Sequence, residues 1–177
     1  MLEAYLRLLE QGYDEVKFAF EGLADEHVWK RPAPGLLSVG ELAGHLAYWE
    51  AVRLASDGLP VALFGENPEE PDLSKCRVSS PLLDNRFQYY STTLATTPSD
   101  QHQTMTAKQV CGELLRVHEE AVGHFKALNP ELESTPPGWS SNDTYGGFLE
   151  YLVFHIGYHT GQMYSVRHLL GEQTPDN

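Results

Sequence analysis

The chain has 177 residues, 41% hydrophobic and 21% charged, which suits one folded domain large enough to bury a core without staples. With 25 acids against 12 Lys and Arg, the formal charge is −13 and no basic cluster interrupts it, so neither nucleic acid nor an anionic membrane is an expected partner. There is no apolar run of membrane-spanning length and no basic-then-apolar leader, and Cys76 and Cys111 stand apart, which suits a reducing cytoplasm.

From Leu2 to Leu23, apolar residues recur at Leu2, Leu6, Leu9, Tyr13, Val16, Phe20 and Leu23, and Glu3, Arg7, Glu10, Asp14 and Lys17 fill the opposite face. That is the period of an amphipathic helix with a solvated outer side. Pro32, Pro34 and Gly35 punctuate the segment that follows, and Trp29 within it is expected to pack over one end of the fold. Ser38-Val-Gly-Glu41 reads as a capping box opening a second helix to about Ser56, with Val39, Leu42, Leu46, Trp49 and Val52 on its buried arc. His45 lies on the same arc.

Residues 57–105 are the least regular part, a long connection with an acidic GENPEEPD run. Ser80-Pro81 is expected to open a short helix carrying Leu83, Phe87, Tyr90 and Leu94 on one side, which TTPSDQ then ends. The trio Phe87, Tyr89 and Tyr90 is read as packing rather than as a pocket mouth. Thr106-Ala-Lys-Gln109 is a second capping box, starting a helix with Val110, Leu114, Val117, Ala121, Phe125 and Leu128 as its stripe. Asn129-Pro130 stops it. His118 sits on that stripe and His124 at its edge; either is expected to donate to a carbonyl or carboxylate across the core rather than bind a metal.

The last helix is expected from Thr144, its cap, to Gly171, an αL stop. Tyr145, Phe148, Leu152, Ile156, Met163, Val166 and Leu170 form its apolar stripe. His155 and His159 fall inside the stripe one turn apart, so both rings point the same way. An apolar stripe does not need two histidines, and burying both without partners costs stability. An H-x-x-x-H pair on one helix face can hold a metal ion. It can also be a hydrogen-bonded core pair, and a third histidine decides between the two. His45 is the natural third ligand.

The fold class expected from these segments is all-α: a four-helix bundle, in one domain over residues 1–177, with a long irregular connection and an extra short helix between the second and third long helices. At SVGELAGHLAYWE and HIGYHTGQ the chain resembles the DinB-like superfamily, also called the DinB/YfiT-like bundle. That family's pattern is a histidine midway along the second helix, then H-x-x-[HX]-H-x-G-Q in the last. The run Arg31-Pro-Ala-Pro-Gly35 also resembles the family's approach to its second helix. The resemblance implies metal ligands at His45, His155 and His159. The chain departs from the pattern at Tyr158, where many members carry a further histidine, and in its long connection.

Three neutral histidines leave coordination positions open on a divalent ion, which can acidify a bound water toward ~7 or hold a thiol as thiolate. Nitrogen ligands without cysteine suit zinc, nickel, iron or manganese alike. Relatives imply thiol-dependent transferases or isomerases, some using bacillithiol or mycothiol. The expected function is therefore a metal-dependent enzyme acting on a small molecule with a low-molecular-weight thiol. No residue identifies itself as the general base, though Glu41, Tyr158 and Gln162 are candidates for contact near the ion. Two other readings stand beside this one. In the first, a non-catalytic dimer uses the histidines to hold a metal or small ligand; in the second, they are simply buried and hydrogen-bonded. A homodimer is expected in any case, burying apolar residues such as Leu59, Val61, Leu63 and Phe64. Taking histidine's ordinary pKa near ~6.5, acid is expected to release the ion between roughly pH 6 and 5.

Overall fold

The computed structural model of the chain describes residues 1–57, 72–88, 96–139 and 142–175. Regular structure among them is helical: α1 Leu2–Phe20, α2 Asp25–Val28, α3 Val39–Leu54, α4 Asp100–Gln103, α5 Ala107–Leu128 and α6 Tyr145–Leu169. One isolated antiparallel bridge joins Ser56 to Cys76. No helix among the described residues is long and apolar enough to cross a membrane. The GENPEEPD run as far as Pro71, Leu59, Val61, Leu63, Phe64, Tyr89, Tyr90 and Leu94 lie outside the described residues.

The four long helices close a cycle of contacts. α3 packs on α5 and α6, and α1 packs on α6 and α5. Their ends sit where the local chemistry puts them. The hydroxyls of Ser38, Thr106 and Thr144 accept from the amides of Glu41, Gln109 and Gly147, satisfying donors that a helix start leaves open. Asn129, at φ 45°, ends α5 in the left-handed region, and Gly171, at φ 80°, follows the last turn of α6.

Three local expectations give way. Among the described residues up to Gln88, Ser80-Pro81 opens no α-helix; the chain makes a 3₁₀ turn at Asn85–Phe87, where the Asp84 side chain accepts from the Arg86 amide at 2.8 Å and draws the backbone into a tight turn. Ser99, within TTPSDQ, starts a helix rather than ending one. Its box is closed by His102 Nδ1, which accepts from the Ser99 amide at 3.1 Å. Leu128, expected on the α5 stripe, is 57% exposed at the frayed end of its helix.

The larger difference is α3. Its sequence suggested one buried arc, yet every residue except Arg53 is buried. The turns around it cover the side that its neighbours α5 and α6 leave open. Gly40 and Gly44 make this possible, since a Cβ at either would come within 2.6 Å of the Trp29 or the Phe87 ring. The two aromatic rings rest directly on the helix backbone. Trp29 is pinned there as its indole N–H donates to the Met105 carbonyl at 3.0 Å.

Complete burial of α3 draws in two carboxylates. Glu41 is fully buried and faces the Arg31 guanidinium at 2.5 Å while closing the Ser38 cap. Glu50, 2% exposed, accepts from the Tyr13 hydroxyl of α1 and from His118 Nδ1 of α5 at 2.6 Å. The Tyr13 and His118 rings stack with centroids 3.8 Å apart. A buried carboxylate needs such donors, and here they come from two other helices, which fixes three helices in register. His118 thus finds a carboxylate across the core, as its position on the stripe suggested. His124 is half-buried and makes no such bond among the described residues.

The Gly44 contact gives a test with a decided sign. Gly44→Ala gains about 1 kcal/mol of helix propensity, but it drives a methyl into the fully buried Phe87 ring, an overpacking cost of about 1–3 kcal/mol. The clash is with a ring that has nowhere to move, so the variant should melt lower, by roughly 2–6 °C. Thermal circular dichroism measures it, and an unchanged or raised melting temperature would mean that Phe87 is not seated on α3.

Candidate metal centre

α3 and α6 pack side by side, which brings His45, midway along α3, opposite the middle of α6. The one-turn spacing on α6 sets His155 and His159 on the face that meets it. The three ligating nitrogens all lie within 4.8 Å of one another, and each ring is buried, at 7%, 3% and 9% exposure. His45 Nε2 and His155 Nε2 are 3.0 Å apart. Two nitrogens sharing one ion at about 2.1 Å stand about 3.0–3.4 Å apart, so this pair already has a ligand-pair spacing. The chain therefore assembles the three histidines that the sequence singled out. No carboxylate or cysteine joins them among the described residues.

The far nitrogens decide which atoms face inward. His45 Nδ1–H donates to the Phe87 carbonyl at 2.7 Å, leaving Nε2 as a lone pair toward the cluster. His159 Nδ1–H donates to Gln162 Oε1 at 2.6 Å, with the same consequence. Both are the arrangement that orients a metal-ligating imidazole. His155 differs: its Nδ1 is buried and has no hydrogen-bond partner among the described residues. Its ring stacks instead on Tyr151, with centroids 5.0 Å apart. In the metal-free cluster His155 Nε2–H must donate to His45 Nε2, because two lone pairs at 3.0 Å would repel. A cation between the rings removes that conflict. The donor set fits a divalent ion of the zinc, nickel, iron or manganese group.

Burial keeps all three rings neutral. Desolvation, followed by the field of His159, takes the His45 pKa down to about 3. His155 is lowered further by desolvation, by His45 and His159, and then by the positive charge of Arg53. Desolvation also lowers His159, against a smaller upward pull from the Gln162 hydrogen bond. The neutral state is the one that can bind a metal.

Several partners of the site were not legible in the sequence. The Phe87 carbonyl reaches His45 only because the Phe87 ring rests on Gly44. Arg53 lays its guanidinium carbon 4.1 Å from the centre of the Tyr151 ring, with Phe148, Trp139 and Trp49 at 5.1, 5.3 and 5.6 Å. That is an aromatic cage one ring away from His155. Among the residues proposed for contact near the ion, Gln162 bonds His159 directly and Tyr158 accepts from Gln162 Nε2 at 3.2 Å. The Glu41 carboxylate instead serves Arg31 and the Ser38 cap.

A family model described as DinB superfamily matches residues 8–163, which include all three histidines and Gln162. No curated protein and no solved structure matches the chain. The chain belongs to the DinB superfamily.

Burial also corrects the expected pH window. A His45 ring with a pKa of about 3 does not compete for protons at pH 6 to 5, and desolvation moves His155 and His159 in the same direction. The unfolded chain does titrate near ~6.5. Between these values the unfolded state binds more protons than the folded state, so stability falls as pH drops and is fully retained above ~6.5. Metal-free protein should therefore melt progressively lower from about pH 6.5 toward pH 4, with a slope of up to about 1.4 kcal/mol per pH unit for each histidine. His159→Ala should flatten that slope. Proton uptake on unfolding, measured by calorimetry in buffers of different ionisation enthalpy, checks this. A stability flat from pH 7 to 4.5 would mean that the rings are not buried neutral.

Proposed function

We propose that this member of the DinB superfamily is a metal-dependent enzyme: a single-domain four-helix bundle in which His45, His155 and His159 hold one divalent ion and a low-molecular-weight thiol is a substrate. The reaction class is a transfer or isomerisation. One observation carries the reading: three buried neutral imidazoles converge within 4.8 Å, and two have their far nitrogens tied to acceptors. Hydrogen bonding among the described residues pairs only two of the inward nitrogens, His155 Nε2 with His45 Nε2 at 3.0 Å, and gives the inward nitrogen of His159 no such role.

When bound, such an ion would hold a thiol as thiolate or polarise a substrate oxygen. The chain's own thiols are poor nucleophiles. Burial pushes Cys76 up to about 11 and raises Cys111. A thiolate for the reaction then has to come from the small molecule. A cavity of about 300 Å³, lined by Leu37, Leu42, Gln162 and Val166 among others, shares Gln162 with the site and offers room for such a molecule. The thiol pool of a reducing cytoplasm would supply it.

The second reading is a non-catalytic, dimeric bundle that holds a metal or small ligand. Phe154 and Leu169 favour a dimer, since they stand 66% and 64% exposed on α6 and a second copy would cover them.

Three measurements test these readings. Protein purified without a histidine tag should contain about one divalent ion per chain, and the loaded protein should turn over a fluorogenic electrophile with a small thiol. His159→Ala should lose about 10²-fold or more of that rate, as expected when an ion loses one of three ligands. Stoichiometric metal with no turnover on any thiol would favour the non-catalytic reading; absence of metal would sink the enzyme and leave of the second reading only its small-ligand form. Light scattering should give about twice the 19.8 kDa chain mass, and a monomeric mass at every concentration would rule out the pair.

A further inference from the structure

We propose that Gln162 is a positioning residue that keeps His159 Nε2 directed at the metal centre by accepting from Nδ1–H, with Tyr158 accepting the outer hydrogen of its amide. The role rests on the metal reading above and concerns residues that no ligand count includes.

The geometry lies on one helix face. His159 and Gln162 are three residues apart on α6, and Tyr158 and Gln162 four, so all three side chains meet over a single turn. His159 Nδ1–H donates to Gln162 Oε1 at 2.6 Å, and Gln162 Nε2–H donates to the Tyr158 hydroxyl at 3.2 Å. Phe154, one turn earlier, stacks on Tyr158 with centroids 5.8 Å apart and ring planes 19° apart, which steadies an otherwise exposed ring.

A primary amide can point either way, and the two orientations have opposite consequences. With Oε1 toward His159, the ring must carry its proton on Nδ1, and Nε2 is free for the ion. With the amide turned round, Nε2–H of Gln162 would donate to Nδ1, and the His159 proton would sit on Nε2, blocking the site. A tyrosine hydroxyl both donates and accepts, so on its own it permits either state. The structure holds the first orientation, and Tyr158, steadied by Phe154, accepts the outer amide hydrogen instead of leaving it to solvent. His45 gains the same fixation from a backbone carbonyl, which has only one polarity. His159 has a side-chain amide in that place and so needs the extra partner. Acceptors on the far nitrogen also raise ligand basicity, and their loss usually costs 10–100-fold in metal affinity.

Zinc binding and imidazole NMR test this on full-length protein. Gln162→Leu, which keeps the volume and removes the acceptor, should weaken zinc binding about 10–100-fold. Gln162→Glu restores an acceptor of one polarity and should recover affinity to within a few-fold of wild type. Tyr158→Phe should show a smaller loss than Gln162→Leu. In metal-free protein, long-range nitrogen–proton spectra should assign His159 to the Nδ1–H form in wild type and move it toward Nε2–H in Gln162→Leu. Wild-type protein that takes up no zinc would overturn the metal reading and this role with it. Zinc uptake equal in wild type and Gln162→Leu, or no recovery in Gln162→Glu, would overturn the role of Gln162 alone. An unchanged His159 tautomer across the series would do the same.

Discussion

The hydrogen bond from His45 Nδ1 to the Phe87 carbonyl links the irregular part of the chain to the ordered part. It exists because Gly44 has no side chain. The Phe87 ring rests where a Cβ would be, fully buried, and its carbonyl therefore arrives one residue away from His45. With Nδ1 occupied, His45 presents Nε2 to α6, where the helical repeat has already set two more imidazoles. Remove the seat, and the first of the three rings loses both its tautomer and its aim. The connection that looked least structured in the sequence thus sets the orientation of the residue that completes the cluster.

Electrostatics follow from the same burial. A water-excluded pocket disfavours any charge on the histidines, and each ring's field disfavours it further on its neighbours. The rings are thereby kept neutral, the state in which imidazoles could hold a metal ion. Elsewhere the fold neutralises its buried charges pairwise and uses them to tie elements together. Arg31 meets Glu41 at the start of α3, Tyr13 and His118 converge on Glu50, and Arg167, 1% exposed, bonds Glu172 and the carbonyls of Ala19, Glu21 and Gln173. These contacts bind α1, α3, α5, α6 and the C-terminal turn by directional bonds, whereas apolar packing alone tolerates sliding.

Local rules account for much of what was legible beforehand. The capping boxes at Ser38 and Thr106, the Thr144 cap, the Asn129 and Gly171 stops and the apolar stripes of α1, α5 and α6 all depend on residues within a few positions of one another. The 3₁₀ turn at Asn85–Phe87 and the α4 cap at Ser99 were misread for a related reason. There, short side chains compete for the same amides, and the outcome depends on which competitor the surroundings favour.

The amino-acid sequence by itself determined that the chain is helical, where its long helices begin and end, and that His155 and His159 share a face. These follow from periodicity and from hydrogen bonds closed over three or four residues. The meeting of His45 with that pair depends on how α3 packs against α6, a contact between residues more than 100 positions apart. Which nitrogen His45 turns inward was likewise a tertiary decision, taken by the Phe87 carbonyl, whereas His159 is held by Gln162, three residues along its own helix. Burial of Glu50 and full enclosure of α3 belong to the same class. A helix repeat specifies the directions in which side chains leave, but only packing specifies what lies at the end of each direction.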